Sequence, residues 1–102
     1  MAEAVTITRT DEVIHGSYSA EVAGSSRPAE LTWTARGEAR TAEHTFVPPE
    51  ARGQGIAHQL VEALVADARE QKFTIVPQCS YVYSLFKRHP EWADVLAELG
   101  SD

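Results

Sequence analysis

The chain has 102 residues, enough for one domain around one modest core. Its residues are 43% hydrophobic and 24% charged, which is ordinary for a globular protein and too apolar for a disordered one. Acidic side chains outnumber basic ones 15 to 9, for a net charge of −6, so a nucleic-acid partner is not expected: there is no cationic excess to displace its counterions, although one local positive site would suffice for a small anion.

The first residues carry an acid, Glu3, and no Lys or Arg before Arg9, so no targeting segment is expected. From there to residue 47 the period is two. Val5-Thr6-Ile7-Thr8 alternates apolar and polar side chains. Tyr18, Ala20 and Val22 share one face against Ser19 and Glu21. Leu31, Trp33 and Ala35 alternate with Thr32, Thr34 and Arg36. Ala42, His44 and Phe46 alternate with Glu43, Thr45 and Val47. Such alternation, rich in Thr, Val and aromatics, predicts four half-buried strands. Turn residues lie between them, Gly24-Ser25-Ser26-Arg27-Pro28 and then Gly37-Glu38, and the short connections predict an antiparallel meander.

After Pro48-Pro49 the period changes. Ile56, Leu60, Val61, Leu64, Val65 and Ala68 fall on one helical face, predicting a helix of about four turns packed on the sheet. Residues 73–77 read as a fifth strand, parallel to the fourth through a right-handed crossover. Ser80 is the expected cap of a short helix presenting Val82, Leu85 and Phe86, with Lys87, Arg88 and His89 at its negative end. Pro90 is expected to open a last helix, with Trp92, Val95, Leu96 and Leu99 on one face and Gly100 as terminator. The fold class expected is α+β, a meander followed by a strand–helix–strand crossover and C-terminal helices in one domain. No apolar run reaches membrane-spanning length. The single Cys79 has no intramolecular disulfide partner, which fits a reducing cytoplasm.

The strongest chemical signal is Arg52-Gly53-Gln54-Gly55-Ile56-Ala57, between the fourth strand and the long helix. Two glycines allow a sharp turn and a close approach by a ligand. The first amides of a helix have no intrahelical acceptor and carry the positive end of its dipole, so an oxyanion is the natural guest, and Arg52 adds a forked charge. A P-loop is excluded, because no Gly-Lys-Ser/Thr follows, and G-x-G-x-x-G is incomplete. The plain alternative is a tight turn before a helix.

Arg52-x-x-Gly55-x-Ala57 resembles the Arg/Gln-x-x-Gly-x-Gly/Ala signature of the Gcn5-related N-acetyltransferases (GNAT). With His44-Thr45-x-Val47, Pro77-x-Cys79-Ser80-Tyr81-Val82 and His89-Pro90-Glu91-Trp92 in order, the chain looks like a small GNAT-like subgroup, the YjdJ type. The resemblance implies that acetyl-CoA is the cosubstrate. Its pyrophosphate would lie on Val47, Arg52, Gly53, Gln54, Gly55, Ile56 and Ala57, with His58 flanking the phosphate or facing solvent. It also implies that the N-terminal helical region of longer members is absent. The acceptor cleft would then be open, or completed by a homodimer.

Acetyl transfer to an amine needs a base, oxyanion stabilisation and an acid for the leaving thiolate. The tyrosine that serves as acid in the family falls near Phe86, which has no proton to give; Tyr81 and Tyr83 are nearby. Cys79, just before a helix N-terminus, is either an acyl acceptor, a proton donor to the leaving thiolate, or an inert buried thiol. His44 is either the general base or a histidine hydrogen-bonded within the sheet. His89 reads as a helix end and His15 as a turn residue. Four histidines without metal-ligand spacing give no expectation of a metal. Trp33 and Trp92 read as core. Two functions follow: an acetyl-CoA-dependent N-acetyltransferase acting on an amine of a small molecule or peptide, or a non-catalytic module that binds CoA or acyl-CoA.

Overall fold

A computed structural model describes residues 5–97. Five strands form one sheet in the order of the chain: β1 (Ile7–Asp11), β2 (His15–Ala20), β3 (Ala29–Arg36), β4 (Ala39–Phe46) and β5 (Thr74–Pro77). The first four pair antiparallel, and β5 lies parallel to β4 after the crossover helix α1 (Ile56–Gln71). Helix α2 (Ser80–Arg88) follows β5. Among the described residues no helix is long and apolar enough to cross a membrane.

The helical stripe behaves as its spacing dictates. Ile56, Leu60, Val61, Leu64, Val65 and Ala68 are all buried, against a sheet face that carries Tyr18, Ala20, Leu31, Trp33 and Ala42. Both tryptophans belong to this core. The first two strands are shifted from expectation: β1 runs beyond Thr8 to Asp11, and β2 starts at His15 and stops before Val22, which is buried all the same. Gly16 has a packing reason, since a Cβ there would meet the Trp33 ring at 2.5 Å.

Three expectations need correction. First, β4 does not keep one phase. Its pairing with β3 slips at Thr32/Trp33, so Trp33 faces Ala42, Thr32 faces His44 and Leu31 faces Thr45. Glu43 is the extra residue of a bulge. Because directly paired residues share a face, Ala42 and Thr45 lie on the core side and His44 on the other. Second, the residue at the start of α2 is Cys79, not Ser80, which is already helical. Third, the last segment is a 3-10 turn, Pro90–Val95, and Leu96 is not on its buried face. Leu96 instead bridges to Ile75, and the Ala97 amide donates to the Ile75 carbonyl at 2.9 Å. Strand β5 would otherwise present an open edge, and these bonds draw the chain into extended form to cover it. Leu99 and Gly100 lie outside the described residues.

Candidate functional site

The ladder between β4 and β5 ends at the pair Ala42 and Pro77. Beyond it β4 bulges and β5 gives way to α2, so the two strands fork. One bond closes the crotch of the fork: the Cys79 amide donates to the Ala42 carbonyl at 2.9 Å. Above it lies a cleft of about 340 Å³, lined by Val47, Ala51, Arg52, Gly53, Gly55, Ile56, Ala57 and Tyr81.

The floor of the cleft is the start of α1. Gly55 is its N-cap in the left-handed conformation, at φ 75°, and no side chain caps this end. Gly53 is also left-handed, at φ 84°. Few side chains tolerate either position, which accounts for both glycines. The amides of Ile56, Ala57 and His58 have no acceptor a turn back, and no acid stands in the first turn to compete for them. Arg52 is exposed and anchored: its Nε–H donates to the Val47 carbonyl at 3.1 Å. Its terminal nitrogens have no hydrogen-bond partner among the described residues. Six of the eight residues predicted for coenzyme contact, Val47, Arg52, Gly53, Gly55, Ile56 and Ala57, are thus brought together. Gln54 and His58 are not in the lining. The Gln54 side chain turns back to the Glu50 carbonyl, and His58 turns to His89.

Cys79 sits at the fork, partly buried against the core. Its sulfur lies 3.5 Å from the Thr45 hydroxyl. Burial pushes the thiol pKa up, but the Thr45 hydroxyl and the amides of Val82, Tyr81 and Thr45 favour the thiolate and together outweigh burial, so the pKa is lowered. The sulfur makes no formal capping bond to α2; the amides act on it as facing dipoles. His44 is exposed on the opposite side of β4 from Thr45, so it and Cys79 flank the strand from two faces. Tyr81 lines the cleft from the first turn of α2, its hydroxyl pKa raised by burial, with Arg88 opposing and Cys79 reinforcing. Phe86 packs edge-on against Trp92, and Tyr83 is exposed beneath Lys87. Two of these neighbours were given no role from the sequence: Thr45 stood there only as a member of the His44-Thr45-x-Val47 motif, and Ala51 in no motif. Thr45 reaches Cys79 only because the bulge reverses its face, and Ala51 enters the lining through a 3-10 turn, Pro49–Ala51.

Comparison with known proteins gives a coherent result. The family described as GCN5-related N-acetyl-transferase matches residues 17–95. An NMR structure of a GCN5-like protein from Staphylococcus aureus, named for a suspected N-acetyltransferase activity, superposes with a TM-score of 0.73 at 23% identity, over 95% of this chain and 92% of that one. The crystal structure of a ribosomal-protein-alanine N-acetyltransferase from Brucella melitensis biovar Abortus 2308 superposes with a TM-score of 0.58 at 17% identity, over 90% of this chain and 70% of that one. At these identities the two likenesses speak for the fold.

Proposed function

The chain belongs to the GCN5-related N-acetyltransferase family, and on that premise we propose that it seats the pyrophosphate of acetyl-CoA on the start of α1 and transfers the acetyl group to an amine at the fork of β4 and β5. The observation that carries the reading is the cleft itself: open, glycine-floored, built on uncapped helix amides and edged by Arg52. An anion there meets the positive end of the helix and one permanent cation.

The pantetheine arm then runs along Val47 toward the fork, where β4 no longer pairs with β5. The Thr45 amide faces the Cys79 sulfur on that edge. The Val47 amide follows on the same edge and is the donor for the thioester oxygen. The amine nitrogen attacks the carbonyl carbon and loses a proton to His44, which stands on the solvent-facing side of β4. The C–S bond breaks, and the coenzyme thiolate takes a proton from Tyr81, which burial keeps in its neutral, proton-bearing form. The products are the N-acetyl amine and coenzyme A. The lowered pKa of Cys79 supports a second route through the same site. Its thiolate attacks first, coenzyme A departs, and the amine displaces Cys79 from the S-acetyl intermediate.

The test is release of coenzyme A thiol from acetyl-CoA across a panel of small amines and N-terminal peptides. His44→Gln should lose turnover while retaining CoA affinity by calorimetry, and Cys79→Ala should retain affinity and lose turnover only if the two-step route operates. An acetyl adduct mapped to Cys79 in the absence of amine selects the two-step route. Binding without turnover on any amine leaves the non-catalytic module, and no CoA binding at all overturns both readings.

A further inference from the structure

The His58 and His89 side chains, 31 positions apart, meet with their Nε2 atoms 3.2 Å from each other. His58 comes from the first turn of α1 and His89 from the end of α2. Each ring has a carboxylate behind it: His89 Nδ1 is 2.9 Å from Glu91 Oε2, and His58 Nδ1 is 3.6 Å from Glu62 Oε2. The His89 ring is stacked on Trp92, with centroids 4.2 Å apart and planes 16° from parallel. The His58 and His89 side chains are 32% and 28% exposed, so both are partly open to water.

We propose that His58 and His89 form a two-histidine transition-metal site, taking Zn²⁺ or Cu²⁺ through both Nε2 atoms with water completing the coordination. Bonds of about 2.0–2.1 Å at a tetrahedral angle hold two imidazole nitrogens about 3.3 Å apart, close to the separation found here. The ring centroids are 5.2 Å apart, 2.0 Å more than the two Nε2 atoms, so the rings meet through their Nε2 corners rather than face to face. A proton or a metal ion must lie between nitrogens so placed. The His89 Nδ1 contact with Glu91 leaves its Nε2 facing His58, which is the arrangement that orients metal-binding histidines elsewhere, and Glu62 stands within ion-pair range of His58 Nδ1. Glu62 and Glu91 also place negative charge around a dication. Imidazole suits Zn²⁺ and Cu²⁺, and Cu²⁺ binds such nitrogen sites most tightly among the first-row divalent ions. Among the described residues no third His, Cys, Asp or Glu joins the pair, so the open positions belong to solvent. The sequence offers no hint of the site, because the two ligands converge only when the 3-10 turn after α2 packs on α1.

The experiment uses the untagged full chain without acetyl-CoA, so its outcome does not depend on the acetyltransferase reading. Zn²⁺ titrated by calorimetry should saturate at one ion per chain and raise the melting temperature. One equivalent of Cu²⁺ should show two coordinated imidazoles by electron paramagnetic resonance. His58→Gln and His89→Gln should each weaken Zn²⁺ binding more than tenfold, and Glu91→Gln, which removes only the outer partner, by about 10-fold or more. His15→Gln, on an exposed strand end, should change nothing. No saturable binding to the wild-type chain, a copper spectrum with fewer than two imidazoles, or unchanged binding in the folded His58→Gln/His89→Gln double variant would each overturn the proposal.

Discussion

At the scale of single residues, two side chains separate reactivity from stability. Cys79 is a small, half-sheltered thiol whose ionisation is governed by four donors, one of them the Thr45 hydroxyl. Thr45→Val keeps the shape and removes the hydroxyl, so the thiol pKa should rise toward its ordinary value and alkylation at neutral pH should slow. A pH profile of iodoacetamide labelling checks this, and an inflection that stays put removes the Thr45 contact from the account. Tyr18 does the opposite kind of work. It is 2% exposed, its hydroxyl donates to Asp67 Oδ2 at 2.7 Å, and Arg9 holds the same carboxylate through two bonds of 2.7 and 3.1 Å. Burial first, then the bond to Asp67 and its charge, push the Tyr18 pKa well above the ordinary tyrosine value of 10.0. The native state therefore holds this proton where the unfolded chain would lose it. The resulting stability is fully present below that ordinary value and is lost as pH rises past it. Tyr18→Phe removes a hydrogen bond to a charged acceptor and should cost about 1.5–3 kcal/mol by urea denaturation at pH 7. It should also flatten the alkaline fall in stability; an equally steep fall in the variant would place its origin elsewhere.

At the scale of elements, the helices and strands with a clean period were legible and the places where the period breaks were not. The α1 stripe announces its buried face because six apolar residues recur at helical spacing and nothing in the fold competes with that face. The β4 bulge has no such mark. One extra residue at Glu43 moves His44 to the outer face and Thr45 to the inner one, so alternation read straight through the strand misplaces both. Likewise Leu96 fits a helical stripe after Pro90, but the open edge of β5 claims it. The glycine loop was legible because its need is local: two left-handed residues before an uncapped helix. That locality gives a clean prediction. A Cβ at Gly53 would have nothing within 4 Å, so Gly53→Ala meets strain and no clash. It should cost about 1–2 kcal/mol for holding alanine in the left-handed region. Gly53→Asn, which tolerates that region, should recover most of the loss in melting temperature. Both variants still put side-chain atoms on the cleft wall, so both should weaken CoA binding. Recovery of stability together with full affinity would mean that the ligand does not approach Gly53.

At the scale of the whole molecule, the proposed function asks a chain of net charge −6 to receive a polyanionic coenzyme. The two electrostatic effects act over different ranges. Repulsion from acids spread across the surface acts at long range and is largely screened beyond the Debye length, about 8 Å at physiological ionic strength. Attraction by Arg52 and the α1 amides acts at contact, where mobile ions intervene less. Salt should therefore raise the association rate of CoA by relieving repulsion during approach, and only slowly weaken the contacts once made. Arg52→Ala should weaken affinity at every salt concentration, chiefly through faster dissociation, and its penalty should shrink as salt rises. Stopped-flow association from low to high ionic strength, on wild type and variant together, measures both slopes. An association rate that falls with salt would mean that the local field around the cleft already draws the anion in from a distance. Parallel curves with no affinity gap would mean that the diphosphate lies away from Arg52.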